Sequence, residues 1–170
     1  MTPIAGRSLR SILFLLALAA IGLTLGGWAI GEIMRLQPCP LCIFQRLLFL
    51  LIALLALTGA LLPAASRVSG ILVAVVAAGG VATAAYQSWL QYQPQAGMDC
   101  GFGDCGFGEP TFIERLVDWF GALWPQMFLA TGFCSSKDWV LLGLSLANWS
   151  ALCFIGFLAA AVLILRRRGD

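Results

Sequence analysis

Two residues separate Cys39 from Cys42 in the stretch QPCPLCIFQR, and Arg46 follows Cys42 by four positions. A Cys-x-x-Cys pair can hold a metal, attach a haem, staple a loop, or cycle between dithiol and disulfide. The chain contains no histidine, which excludes Cys-x-x-Cys-His haem attachment and any histidine-ligated metal centre. A staple closing so small a loop removes little chain entropy. Four-cysteine zinc needs sulfurs that stay reduced, and the topology argued below puts these where they oxidise. Redox cycling is the chemistry that remains, and no bound metal is expected.

The residues around the pair suit that chemistry. Pro40 fits the first position of a helix, where its missing N–H would have had no partner, and it pushes Cys39 out of helical geometry. A helix starting within PCPLC therefore leaves Cys39 outside and open to attack. Cys42 falls in the first turn, where the helix dipole favours a thiolate. Arg46, one turn further, shares a face with Cys42 and can stabilise an anion formed beside the sulfur. An arginine just inside an apolar span is costly enough to suggest a function. Its alternative use is to snorkel to lipid headgroups.

The elements carrying these residues are membrane spans. Of 170 residues, 61% are apolar and 11% charged, against roughly 45–50% and about 25% in a soluble domain. Four stretches, Ser11–Gly31, Ile43–Leu62, Val68–Leu90 and Gly143–Leu165, approach the roughly 20 residues that cross the hydrocarbon as a helix. The expected fold is one all-α domain over 1–170, a four-helix membrane bundle. The first run, preceded by Arg7 and Arg10, is long for a cleaved leader, and no small-x-small cleavage site in it is followed by a plausible soluble domain.

Four spans put both ends of the chain on one side, together with Arg7, Arg10, Arg67 and Arg166 to Arg168. The positive-inside rule makes that side cytoplasmic. Glu32 and the acidic residues through Asp138 then lie opposite, as do Cys39, Cys42, Cys100, Cys105 and Cys134, in a compartment where disulfides persist. Cys153, inside the fourth span, reads as a small apolar packing residue.

Two connections face that compartment, about 32–42 and 91–142. The longer begins QYQPQAGMDCGFGDCGFGEP, whose glycines predict a pliable strap. In EPTFIERLVDWFGALWPQMF, Phe112, Ile113, Leu116, Val117, Phe120, Leu123 and Trp124 recur at helical spacing, with Glu114, Arg115 and Asp118 on the other face. That pattern predicts a helix lying along the bilayer surface or, alternatively, packing on the bundle's outer end. Trp28, Trp89, Trp139 and Trp149 fall near span ends, as interfacial anchors do.

A cycling disulfide at the lipid boundary needs an electron acceptor, and a lipid-soluble, two-electron quinone fits. PCPLCIFQR, the four spans, GFCSSKDW and LGLSLANW together resemble the bacterial disulfide bond formation protein B (DsbB) family over nearly the whole chain. The resemblance implies an inner-membrane thiol:quinone oxidoreductase that reoxidises a periplasmic DsbA-like oxidase through a mixed disulfide. Electrons would pass through a loop disulfide and Cys39–Cys42 to ubiquinone or menaquinone, with Cys42 meeting the quinone and Arg46 as its electrostatic partner. Such a partner is a strong oxidant, at about −120 mV, which a glutathione-level couple at roughly −200 mV could not regenerate. Cys134 would belong to the loop disulfide with Cys105, or alternatively with Cys100; the family pattern has one cysteine before the surface helix and this chain has two. Some members carry a histidine near the outer end of the third span, where Gln91 stands here, so Gln91 is a further candidate quinone contact. No nucleic-acid partner is expected. The rival readings are a vitamin K epoxide reductase-like enzyme and a scaffold whose outer disulfides are only structural.

Overall fold

The computed structural model describes residues 3–62, 64–92, 111–132, 134 and 139–166. Four long helices dominate: α1 (Pro3–Ile33), α2 (Pro40–Leu61), α3 (Ser66–Tyr92) and α6 (Leu146–Arg166). Between α3 and α6 come α4 (Phe112–Leu123), the single turn α5 (Pro125–Phe128), and two short strands, β1 (Val140–Leu141) and β2 (Leu144–Ser145). Each long helix carries a stretch long and apolar enough to cross a membrane: Arg10–Ile33, Pro40–Leu61, Ser66–Tyr92 and Leu146–Arg166. The chain is a multi-pass, four-helix membrane bundle.

The helices pack in sequence order, α1 on α2, α2 on α3, and α3 on α6. Small residues let them close: Ala17, Ala20, Ala53, Ala56, Ala77 and Ala161 are all buried in one core. Phe49 of α2 and Phe154 of α6 stack at the centre with centroids 4.1 Å apart. Gly80 makes room for that stack, because a methyl there would run into the Phe154 ring. Leu15, Leu18, Leu54, Val75 and Leu163 point outward and stay exposed, as side chains facing lipid do.

The fourth span begins three residues later than its hydropathy suggests. Residues 140–145 instead form a hairpin, Val140 pairing with Ser145 and Leu141 with Leu144. Its two turn residues, Leu142 at φ 54° and Gly143 at φ 80°, have the double positive φ of a type I′ turn, which suits strand twist. At the other side of the bundle end, α1 stops in a Schellman cap. Leu36 N–H reaches the Gly31 carbonyl at 2.9 Å, with Arg35 at φ 50° in the position glycine usually takes.

The helix expected over 111–124 is present, and its polar face is not what its pattern suggests. Glu114 is buried because it closes a capping box: its carboxylate accepts from the Thr111 N–H while the Thr111 hydroxyl accepts from the Glu114 N–H. Val117, Ile113 and Phe120 press against Ile43, Phe44 and Leu47 on α2. Phe112, Trp119, Leu123 and Trp124 are left exposed. Two of the four tryptophans expected at interfaces also hold the loops: Trp28 donates to Gln126 O at 3.1 Å and Trp149 to Leu141 O at 3.2 Å.

Candidate functional site

The site is assembled at the start of α2. Cys39 is its N-cap, extended at φ −84° and ψ 164°, and its sulfur accepts from the Cys42 N–H. Pro40 opens the helix, as its fixed φ dictates. Cys42 lies one turn in, and the Cys39 thiol donates to its sulfur across 3.1 Å. Both thiols are free, but Cys39, expected to be open to attack, is buried against Leu41, Leu90 and Cys134.

Gln87 of α3 bridges the pair. Its Nε2 lies 3.0 Å from the Cys42 sulfur and 3.5 Å from that of Cys39. Gln45 of α2 fixes the bridge, donating to Gln87 Oε1 at 2.8 Å. With its oxygen engaged, the Gln87 amide presents its N–H groups to sulfur. Such donors stabilise a thiolate more than a thiol, because a bond to a charged acceptor is the stronger one. Gln91, the glutamine expected to matter, is buried one turn further along α3. Gln87 carried a usable signal, as an amide inside the otherwise apolar run VATAAYQSWL.

Arg46 does not snorkel to the surface. Its guanidinium donates to Met127 O at 3.1 Å and to Gly27 O at 3.2 Å, which ties α2 to α1 and to α5. It stands between two cavities. One, of about 220 Å³, is bordered by Trp28, Glu32, Pro38, Gln126 and Thr131. The other, of about 250 Å³, lies among α1, α2 and α6 and is mostly apolar. Cys42, Gln45 and Arg46 give this second cavity its polar end; Gly22, Gly26, Phe49, Trp149 and Cys153 are among its walls. Cys153, expected only to pack, thus also borders it. Nothing from α3 lines it, so Gln91 does not border this space.

Cys134 comes to the same end of the bundle. It packs in one cluster with Cys39, Leu41, Cys42, Tyr86 and Leu90. A hydrogen bond with the Cys134 side chain, a second with Cys42, and burial together raise the Cys39 thiol well above its ordinary range. Cys100 and Cys105, with the pairing of Cys134 to either, lie outside the described residues. Among the described residues there is no group of three metal-ligating side chains.

A family model for disulfide bond formation protein DsbB matches residues 9–164. The chain belongs to the DsbB family. Proteins called disulfide bond formation protein B are correspondingly similar. That of Dechloromonas aromatica (strain RCB) is 50% identical over 153 residues, 90% of each chain. That of Verminephrobacter eiseniae (strain EF01-2) is 37% identical, covering 96% of this chain and 90% of its own length. A third, from Azoarcus sp. (strain BH72), is 40% identical over 76% of this chain and 74% of its own. As a DsbB-family protein this chain is a membrane oxidoreductase of disulfide bond formation.

Proposed function

We propose that the chain oxidises a periplasmic DsbA-like dithiol protein and delivers the electrons to a membrane quinone, with Cys39 and Cys42 as the terminal disulfide. The carrying observation is the second cavity. It is apolar along its length, lies among transmembrane helices, and places Cys42 and the Arg46 cation at one end. A flat, lipid-soluble acceptor suits such a space, and the fixed guanidinium favours negative charge arising there. A ubiquinone or menaquinone bound in it would supply the two-electron sink that a disulfide pair requires.

The residues divide the work. Cys39, outside the helix, takes the incoming thiolate attack, and the electron pair leaves on Cys42. The Cys42 thiolate is held by the Gln87 amide and by the start of α2. Arg46, fixed by two carbonyls, keeps its charge at the cavity. Cys134 and its partner, Cys105 or alternatively Cys100, form the loop disulfide that receives the partner protein's thiolate. The charge distribution supports placing these cysteines on the periplasmic side of the inner membrane with both termini cytoplasmic. The exposed face of α4, with Phe112, Trp119 and Leu123, fits a helix resting on the bilayer surface beside α2. The whole of 1–170 then works as one domain.

The test is steady-state turnover. A reduced DsbA-like protein added to the purified chain with ubiquinone should be oxidised as quinone absorbance falls, and Arg46→Gln should slow this at low quinone. A structural scaffold predicts no quinone loss at all.

A further inference from the structure

Cys134 reaches Cys39 because the chain two residues before it is bound to the chain one residue before Cys39. The N–H groups of Thr131 and Gly132 both donate to the Pro38 carbonyl, at 2.9 and 3.1 Å. Pro38 precedes Cys39 and Gly132 nearly precedes Cys134, so one shared acceptor sets the register of both sulfurs. The approach requires glycine. A methyl at Gly132 would overlap the Gln37 carbonyl oxygen and lie 3.1 Å from Gln37 Cβ. Backbone cannot move aside as a flexible side chain can. Gly132 is absent from the positive-φ residues, so its requirement is closeness and not a special backbone shape.

We propose that Thr131 and Gly132 form a backbone latch on Pro38, with Gly132 the positioning residue that brings Cys134 to Cys39 for exchange between the two disulfides. This rests on the functional reading above and concerns how its two pairs communicate. In the step the latch serves, Cys134 loses its proton to water and its thiolate attacks the Cys39 sulfur. The Cys39–Cys134 bond forms, the Cys39–Cys42 bond breaks, and the electron pair departs on Cys42. Cys39 is 2% exposed, so a protein-borne thiolate not already docked has little access. Two ordinary hydrogen bonds hold the latch, which lets it open when the loop cysteines must meet a partner protein.

The test uses the full chain in detergent, with Cys42, Cys100 and Cys105 replaced by serine so that Cys39, Cys134 and the span residue Cys153 remain. Diamide, which takes up two electrons and two protons, then joins Cys39 to Cys134, and the linked peptides are followed by mass. Gly132→Ala should slow that bond about ten- to hundredfold, as displacements near an ångström do at reacting atoms. Thr131→Pro, which deletes one donor, should slow it too. Gly156→Ala, whose methyl meets open space, should match the parent.

A second measurement separates positioning from general damage. With all cysteines restored, dithiothreitol is small enough to enter the pair through the partly exposed Cys42, so quinone reduction fed by it should be undiminished in Gly132→Ala, while reduction fed by the protein partner falls. Equal crosslinking rates in Gly132→Ala and parent overturn the latch. So does a loss of both dithiothreitol-fed and partner-fed activity in step, which marks a misfolded variant. If unaltered protein consumes no quinone with either donor, the quinone reading fails, and the crosslinking rates still judge the latch.

Discussion

Cys39 and Cys42, three residues apart in the chain, are prepared for opposite tasks. Cys39 is held as a thiol by the bond with Cys134, by Cys42 and by burial, whereas Cys42 receives the Gln87 amide. A raised value means that the protonated form is favoured in the folded state, so this stabilisation is complete below the ordinary thiol range. It is lost as pH rises through the raised value. In fully reduced protein, iodoacetamide should therefore modify Cys39 only at pH above that of a free cysteine. Cys134→Ala should move the onset down, since the Cys134 bond is the largest cause; an unmoved onset contradicts that cause. Gln87→Leu should cut dithiothreitol-driven quinone reduction about ten- to hundredfold, the equivalent of roughly 1.5–3 kcal/mol for a bond to a charged group. Unchanged rates would remove Gln87 from the site. The cysteine pair, its helix cap and Arg46 were legible because covalent spacing and proline geometry are local. Gln87 was legible only as an amide within an apolar run and not as the sulfur's partner, because Gln87 and Gln91 share a face of α3 one turn apart, and only packing against α2 decides which meets sulfur.

The connecting elements are set by caps and turns more than by apolar pattern. The capping box of α4 is its clearest local device, and Thr111→Ala should cost about 1–2 kcal/mol. For a chain of this size that lowers Tm by roughly 2–4 °C per kcal/mol, and an unaltered melt would show that α4 is held by its contact with α2 alone. The periodicity of α4 was readable; that Val117 and Phe120 turn toward α2 while Phe112 and Leu123 stay exposed was not. Glu114 escaped that reading, because a buried carboxylate serving its own helix start looks in sequence like a solvated one. The hairpin at 140–145 was hidden for a related reason. Val140, Leu141, Leu144 and Ser145 continue an apolar run into α6, and hydropathy cannot distinguish a two-residue strand from the first turn of a span. Only Gly143, in LLGLS, marks the turn.

At the scale of the molecule, the four-helix bundle was almost fully legible, because hydrocarbon forces each apolar stretch into a helix and fixes its minimum length. The spans differ from expectation by a few residues at their ends. What the chain alone could not show is which helices enclose the apolar cavity, since that depends on how α1, α2 and α6 come together around it and leave α3 out of its walls. This arrangement lets Cys42 face lipid-borne chemistry on one side and Cys39 and Cys134 on the other. The most direct test is a single turnover: fully reduced, purified protein is mixed without oxygen with a short-chain ubiquinone while quinone absorbance and the Cys39 and Cys42 thiols are followed together. Quinone should disappear in step with oxidation of the Cys39–Cys42 pair, and Cys42→Ser should leave it intact. Quinone loss persisting in Cys42→Ser, or none in the unaltered chain, would contradict the delivery of electrons through that sulfur.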